Sequence, residues 1–479
     1  MSIRLTAAYL FVAFLSIYAW KDWFKSLCGL ILMMAVIHHE DMPTNVYGIQ
    51  GFNLWNILFA SIFLAWLVNR RREGLQWDMP RHMNVLLLMY LAVILVGFMR
   101  AVLDRSHIQD YPLKSLISEE LINTIKWVLP GVLLFDGCRT RRRVTMAVVC
   151  LLVMYFLLSV QVVKRMPFEA ALGGADETIQ RIRLRVCRDI GYSSCDMSTV
   201  LAGASWAVLA ALPLIRRKSC RILALAAAGI IAFGQATTGG RAGYVAWGAT
   251  GLLLCLVRWR KQLILAPLVV ILLPMIFPAA AERMLFGIGQ TDAAGQAVTN
   301  DYELTSGRNL IWPHVIDKIA QSPIVGHGRL AMQRTGLQEF LRREYGDSEA
   351  FPHPHNMYLE TLLDNGLLGS IPILLFWMIM FLYSARLFRY DDPLCSAVGG
   401  LSLSLMTVQL IAGLGAQHFY PRESTMCVWA AMLLSLRVYV GMKQAQTLVS
   451  VDPVFWNRRA VEAQEAVPVP VCTYETVSQ

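Results

Sequence analysis

Apolar stretches of about 17 to 22 residues, each long enough to cross roughly 30 Å of hydrocarbon as a helix, recur from the N-terminus to Tyr439. Within a bilayer the backbone must satisfy its own hydrogen bonds, so such stretches become α-helices. The spacing predicts an all-α integral membrane protein with about twelve transmembrane helices. Candidate spans begin near Ala7, Ser26, Phe52, Asn84, Glu120, Val144, Thr199, Ile222, Ala242, Leu263, Leu367, Ala397 and Met426. The first two count either as two crossings or as one broken element. Charged residues make up only 16% of the chain, against roughly 25% in soluble domains, which excludes a soluble globular enzyme. The run after Arg4 has no small-residue cleavage pattern around Tyr18 to Lys21, so a retained span is expected rather than a removable signal peptide.

The formal charge is +10, too thinly spread for a clustered nucleic-acid-binding face. Short basic clusters fall at Arg70 to Arg72, Arg139 to Arg143, Arg216 to Arg221, Arg258 to Lys261, and Arg386 with Arg389. All five map to alternate loops, and the positive-inside rule places them in the cytoplasm. The intervening loops then lie outside. The expected organisation is N-terminal spans over 1–282, a large outer loop over 283–356, C-terminal spans over 357–442, and a disordered cytoplasmic tail over 443–479 with Val-Pro repeats. Most cysteines sit in apolar runs; Cys187 and Cys195 share a polar loop, where they either pair or remain free thiols.

A polar insertion as long as 283–356 is more often functional than a mere connector. It holds helical periodicity through Leu310, Val315 and Ile319, ended by Ser322-Pro323, and a second amphipathic piece at Leu337 to Arg343. His355 and Asn356 then precede a helix entering the membrane, which the Asn365-Gly366 pair breaks or kinks. A helix N-terminus favours anions and keeps a nearby imidazole neutral, and a neutral imidazole can take a proton from a hydroxyl. The same spacing also fits His353 and His355 as interfacial residues in a Pro-rich turn. Arg308 opens the first loop helix, with Ser306 as its expected N-cap. An arginine there suits an anion shared with backbone N–H groups, though it fits a solvated surface side chain too. Arg241, in a very short outer turn, sits at the membrane boundary, either as a site residue or snorkelling from a helix end. Arg181, Arg183, Arg185 and Arg188 alternate with apolar residues as a short basic strand or interfacial segment. His418 and Arg422 end the Ala397 span on the same outer side.

No phosphate-binding Gly-Lys loop, His-Glu-x-x-His, Gly-x-Ser-x-Gly or Cys-x-x-Cys occurs, and His353 with His355 lacks a third ligand at zinc spacing. One candidate base and several arginines remain, with no metal and no cofactor called for. That set suits a phosphate- or diphosphate-bearing substrate at the membrane surface.

These residues carry a resemblance. His355-Asn356, nine residues, then Gly366-Leu-Leu-Gly369 is similar to the His-Asn-x9-Gly-x-x-Gly signature of the O-antigen ligase and O-antigen polymerase superfamily of bacterial envelope glycosyltransferases. Ser306-Gly-Arg308-Asn-Leu-Ile-Trp with Ser322-Pro-Ile-Val-Gly-His-Gly328, and Thr238-Gly-Gly-Arg241-Ala-Gly, resemble two further elements of that family in the expected order. Ser194-Cys-Asp196-Met departs from it, where related sequences often carry Pro-Asn. The resemblance implies a bacterial inner-membrane fold of twelve spans, with a large, partly helical periplasmic loop over a cavity for an undecaprenyl-diphosphate-linked glycan. Arg241 and Arg308 would bind the diphosphate, with Asn356, His418 and Arg422 as further binding residues. His355 would accept the acceptor's proton in inverting, metal-independent transfer. The acceptor would be a glycan, lipid A core or protein. A polymerase extending the lipid-linked chain is the alternative, and a flippase or transporter the next, for which charges near the midplane of broken helices are expected.

Overall fold

Polar caps and apolar runs set where the helices begin and how far they extend. Asn53, Thr140, Ser193, Asn356 and Asp392 each accept a backbone N–H of the helix that follows, which supplies a partner that the first turn otherwise lacks. The computed structural model describes residues 3–37, 39, 42–43, 45–46, 51–167, 177–276, 278, 281, 284, 290–291, 297–298, 305–346, 351–415 and 418–451. In chain order the helices are α1 (Ile3–Tyr18), α2 (Trp23–Met33), α3 (Leu54–Arg72), α4 (Arg81–Leu103), α5 (Leu129–Gly137), α6 (Arg141–Arg165), α7 (Glu177–Ile190), α8 (Ser194–Ala211) and α9 (Lys218–Thr237). They continue with α10 (Arg241–Val257), α11 (Ala266–Ile276), α12 (Arg308–Gln321), α13 (Ala331–Arg334), α14 (Leu337–Tyr345), α15 (Met357–Phe388), α16 (Pro393–Ala412) and α17 (Met426–Val451). One antiparallel pair of two-residue strands, Gln290–Thr291 with Ala297–Val298, accompanies them.

The protein is an α-helical membrane protein. Among the described residues seven helices are long and apolar enough to cross a membrane, with three shorter apolar ones, Arg4–Tyr18, Trp23–Met33 and Arg241–Val257. The run expected to cross from Glu120 breaks up instead. A π-helical turn over Ile117–Asn123 and the short piece Thr124–Lys126 precede α5, which has Pro130 in its first turn and only 9 residues. Helix α3 ends in Arg70, Arg71 and Arg72, which shortens its apolar part, and α11 adjoins residues outside the described ones. The basic Arg181–Arg188 stretch is part of helix α7, not a strand. Cys187 and Cys195 are free thiols. Helix α17 continues past Lys443 to Val451, while the remainder of the expected tail, 452–479, and parts of the 283–356 loop lie outside the described residues.

The last two helices form the centre: 94% of the apolar window of α17 and 83% of that of α16 are buried, against 28% for α4. Small residues allow these close approaches. A Cβ on Gly131 of α5 would stand 2.8 Å from the Trp429 carbonyl of α17, and one on Gly203 of α8 would stand 3.1 Å from Leu405 of α16. Ser384 Oγ joins α15 to α16 and α17 through Ser402 at 2.9 Å and Ser435 at 3.1 Å. Four of the five basic clusters meet at one end of the bundle through Arg70–Asp136, Arg141–Asp392 and Arg258 donating to the Phe388 carbonyl. The histidine-bearing loops lie at the opposite ends of the same helices.

Candidate functional site

The site is built around a break in α15. Gly366 has φ 59° and ψ −166° inside this helix, a conformation that glycine adopts without strain. The break frees backbone groups that the preceding segment satisfies. Leu367 and Leu368 N–H donate to the Pro323 and Ile324 carbonyls at 2.9 Å each, while His327 and Gly328 N–H donate to the Leu363 and Asp364 carbonyls at 2.8 and 2.6 Å. Gly326 and Gly366 lie back to back, and a Cβ on Gly326 would stand 2.4 Å from the Gly366 nitrogen. Glycine at both positions is therefore a packing requirement.

This docking delivers Arg329 into the protein. Its guanidinium, on a residue only 5% exposed, meets Glu120 at 2.5 Å, Asp364 at 3.2 Å and Glu360 at 3.3 Å, and lies over the Tyr420 ring at 3.6 Å. The Tyr420 hydroxyl donates to Asp364 at 3.0 Å, and Asn365 Nδ2 donates to that hydroxyl at 2.7 Å. Glu360 and Asp364 are one turn apart on α15 and so share a face. Three carboxylates around one arginine form a satisfied network, which a buried charge requires.

Beside it lies a cluster of imidazoles. His418 Nδ1 is hydrogen-bonded to Glu360. The His418 and His353 rings pack edge to face at 4.8 Å, as do those of His353 and His355 at 4.2 Å. His355 itself has φ 51°, uncommon for a residue with a side chain. Its neighbours hold it there: Trp312 Nε1 donates to the Pro354 carbonyl at 2.9 Å, His355 N–H donates to His353 Nδ1 at 3.4 Å, and Phe351 packs on the His355 ring at 4.5 Å. Burial pushes the His355 imidazole down to about 4, with Arg308 and His418 acting in the same direction. Burial likewise pushes His353 down to about 3, and lowers His418 against the opposing pull of Glu360. At neutral pH these rings are proton acceptors, the protonation state a general base needs. Among the described residues no group of three or more His, Cys, Asp or Glu side chains is arranged to hold a metal ion.

The expected arginines approach from the other side. Arg308 is the first residue of α12, where Gly307, not Ser306, is the N-cap, with φ 77°; Ser306 itself has φ 53°, turning its hydroxyl to accept from Arg241 Nη2 at 3.2 Å. Arg308 donates to the Gly415 carbonyl at 2.6 Å and the Thr305 carbonyl at 3.3 Å, and burial lowers its pKa. Arg241 begins α10, whose first turn is pressed onto α8: Ser198 Oγ donates to the Gly240 carbonyl at 3.0 Å, and a Cβ on Gly243 would stand 2.1 Å from that oxygen. Arg183 of α7, 1% exposed, braces the same turn through Nε donating to the Thr237 carbonyl at 3.1 Å. Asn356 is buried and caps α15, its side-chain oxygen accepting from Tyr358 and Leu359 N–H at 3.0 and 3.1 Å. Arg422 is exposed and, with His353, Glu119, Glu120, Arg329, Glu360 and Asp364, lines a polar cavity of about 250 Å³. That is smaller than the ~300–1,000 Å³ of drug-sized ligand sites and suits one ring-sized polar group.

The six residues expected from sequence thus gather at one end of the bundle. The Arg329–Glu120–Glu360–Asp364 network was not among them. Its one signal in the sequence is Glu360 with Asp364 inside an apolar span, since ionisable groups within such spans mark functional sites by default.

Residues 223–374 match the O-antigen ligase family. The match takes in Arg241, Arg308, Arg329, His355, Glu360 and Asp364, and leaves Glu120, His418, Tyr420 and Arg422 outside it. No curated protein matches the chain.

Proposed function

With residues 223–374 matching the O-antigen ligase family, we propose that the chain transfers a glycan from an undecaprenyl-diphosphate carrier to an acceptor hydroxyl, as part of surface polysaccharide biosynthesis. A multi-pass membrane glycosyltransferase of ligase or polymerase type is the general class. The arrangement that carries the specific chemistry is a buried His355, whose imidazole is pushed down to about 4 by burial and by the nearby, half-buried Arg308. His355 takes the proton of the acceptor hydroxyl as its oxygen attacks the anomeric carbon. The bond from that carbon to the diphosphate breaks, with inversion. Arg308 and Arg241 offset the charge on the departing diphosphate, a role suited to guanidinium forks, and Asn356 fixes the start of α15. The cavity lined by His353 and Arg422 admits the acceptor. No step calls for a metal or a cofactor.

The paired basic clusters at the opposite end support a bacterial inner-membrane orientation with the histidine end facing the periplasm. A flippase reading is less well supported. The break at Gly366 lies about 14 Å along α15 from its start, towards the histidine end of a 32-residue helix, whereas transporters place broken helices near the midplane.

Ligase and polymerase share this chemistry and differ in the acceptor, for which glycan, lipid A core and protein are the classes. Mass analysis of the lipid-linked glycan in a deletion strain separates the readings. Full-length lipid-linked chains are expected for a lost ligase and single repeat units for a lost polymerase. Repeat units trapped in the inner leaflet would overturn the transferase reading in favour of a flippase.

A further inference from the structure

We propose that Glu360 is a positioning residue for the histidine cluster, acting through His418; this rests on the glycosyl-transfer reading above. A carboxylate accepts hydrogen bonds and cannot donate them. The contact between Glu360 and His418 Nδ1 therefore puts the ring proton on Nδ1 and leaves Nε2 as a lone pair. The adjoining contact fixes a second ring: His353 Nδ1 accepts the His355 N–H, so His353 carries its proton on Nε2. Two tautomers are thus assigned by two hydrogen bonds, on rings that pack edge to face at 4.8 Å between Glu360 and the backbone of His355.

Glu360 is well placed for this. It is four residues beyond the Asn356 cap on α15, so the carboxylate and His355 are carried by the same helix start. Its two oxygens are divided, Oε1 to Arg329 at 3.3 Å and Oε2 to His418. Arg329 is in turn held by Glu120 and Asp364, which keeps the carboxylate from swinging away. The charged or titratable groups facing His418 are Glu360, Arg329, Arg422, His353 and His355. Of these only Glu360 is anionic. A base oriented by a second group that is itself held by a third is the general logic of catalytic triads. Here the oriented rings are packed edge to face rather than hydrogen-bonded in line, so the effect on rate is expected to be smaller than the ~10⁴ of a triad carboxylate.

The test uses the full-length protein in nanodiscs, labelled with ¹⁵N-histidine, with His418 assigned by loss of its signal in His418→Gln. At pH 7 the His418 ring is expected to be neutral with its proton on Nδ1, and Glu360→Ala is expected to shift it towards the Nε2-protonated form. This readout does not depend on whether the chain is a transferase. In a transfer assay with the polyprenyl-diphosphate-linked glycan that accumulates in the deletion strain, Glu360→Gln and Glu360→Ala should lower kcat about 10- to 100-fold with donor KM nearly unchanged. Glu360→Asp should restore part of the loss, and Glu360→Gln should shift the acid limb of the pH–rate profile. Size-exclusion profiles like that of the wild type confirm that each variant is folded. An Nε2-protonated His418 in the wild type, or wild-type kcat with an unmoved pH profile in folded Glu360→Ala, would overturn the proposal and leave the transferase reading standing.

Discussion

Arginine is used differently at the basic end of the bundle and at Arg308 of the histidine end. At the basic end four guanidinium groups meet carboxylates: Arg70 with Asp136 at 2.7 Å, Arg141 with Asp392 at 2.7 Å, Arg143 with Glu73 at 2.9 Å, and Arg437 with Asp78 at 2.6 Å. At the histidine end Arg308 donates to the Thr305 and Gly415 backbone carbonyls. A guanidinium bonded to neutral acceptors keeps its charge available to an incoming anion, whereas one neutralised by a carboxylate does not. Other arginines at that end are paired as well: Arg334 meets Asp104 at 2.8 Å, and Arg329 is enclosed by three carboxylates. Arg329 is therefore read as a support for the site and not as an anion ligand.

If the basic end is structural, breaking its buried Arg437–Asp78 pair should cost stability and leave transfer intact. Arg437 is fully buried and Asp78 about a quarter exposed, so Asp78→Ala should destabilise by about 3 kcal/mol, the lower end for an uncompensated buried charge. Thermal unfolding in detergent measures the loss, and donor KM should stay constant. At the other end Arg308→Lys should keep the fold but lower kcat/KM about 10- to 100-fold, since lysine is a point charge without a bidentate fork. Turnover near that of the wild type would remove Arg308 from the diphosphate site.

The histidines sharpen the contrast through pH. His355 and His353 are held at about 4 and about 3 in the folded protein against 6.5 in the unfolded chain, so the unfolded state binds more protons as pH falls. The stability they contribute is present above about 6.5 and is lost as pH falls towards 4. The Tm should drop between pH 7 and pH 5, and His355→Gln should reduce that drop; a slope unchanged by the substitution would contradict the assigned burial. The smallest effect belongs to Arg141→Ala. Its partner-facing side chain is 44% exposed, and surface pairs contribute about 0–1 kcal/mol.

Much of this arrangement can be read from the chain, and the rest fails for physical reasons. The apolar runs reveal a membrane fold because hydrocarbon thickness sets a length that composition can be measured against. Local chemistry interrupts that measure at the π-turn around Glu120 and at Pro130, where the expected span is not one unbroken helix. The N-cap at Asn356 and the break at Gly366 are local and follow from residue type. The burial of Arg329 is not local: it joins Glu120 to Glu360 and Asp364 across more than 200 residues of sequence, through a segment that docks into a broken helix. Nothing in the spacing of Ser322 to Arg329 specifies that docking, although the paired acids on α15 mark where a cation must arrive.

The most direct test of the central claim, that the chemistry belongs to the histidine end, compares His355→Ala with Arg141→Ala in one single-turnover transfer assay on purified protein. The account predicts that His355→Ala loses at least ~10²-fold in rate, as loss of a general base entails, while Arg141→Ala stays within about twofold of the wild type. Transfer by His355→Ala at the wild-type rate would contradict it.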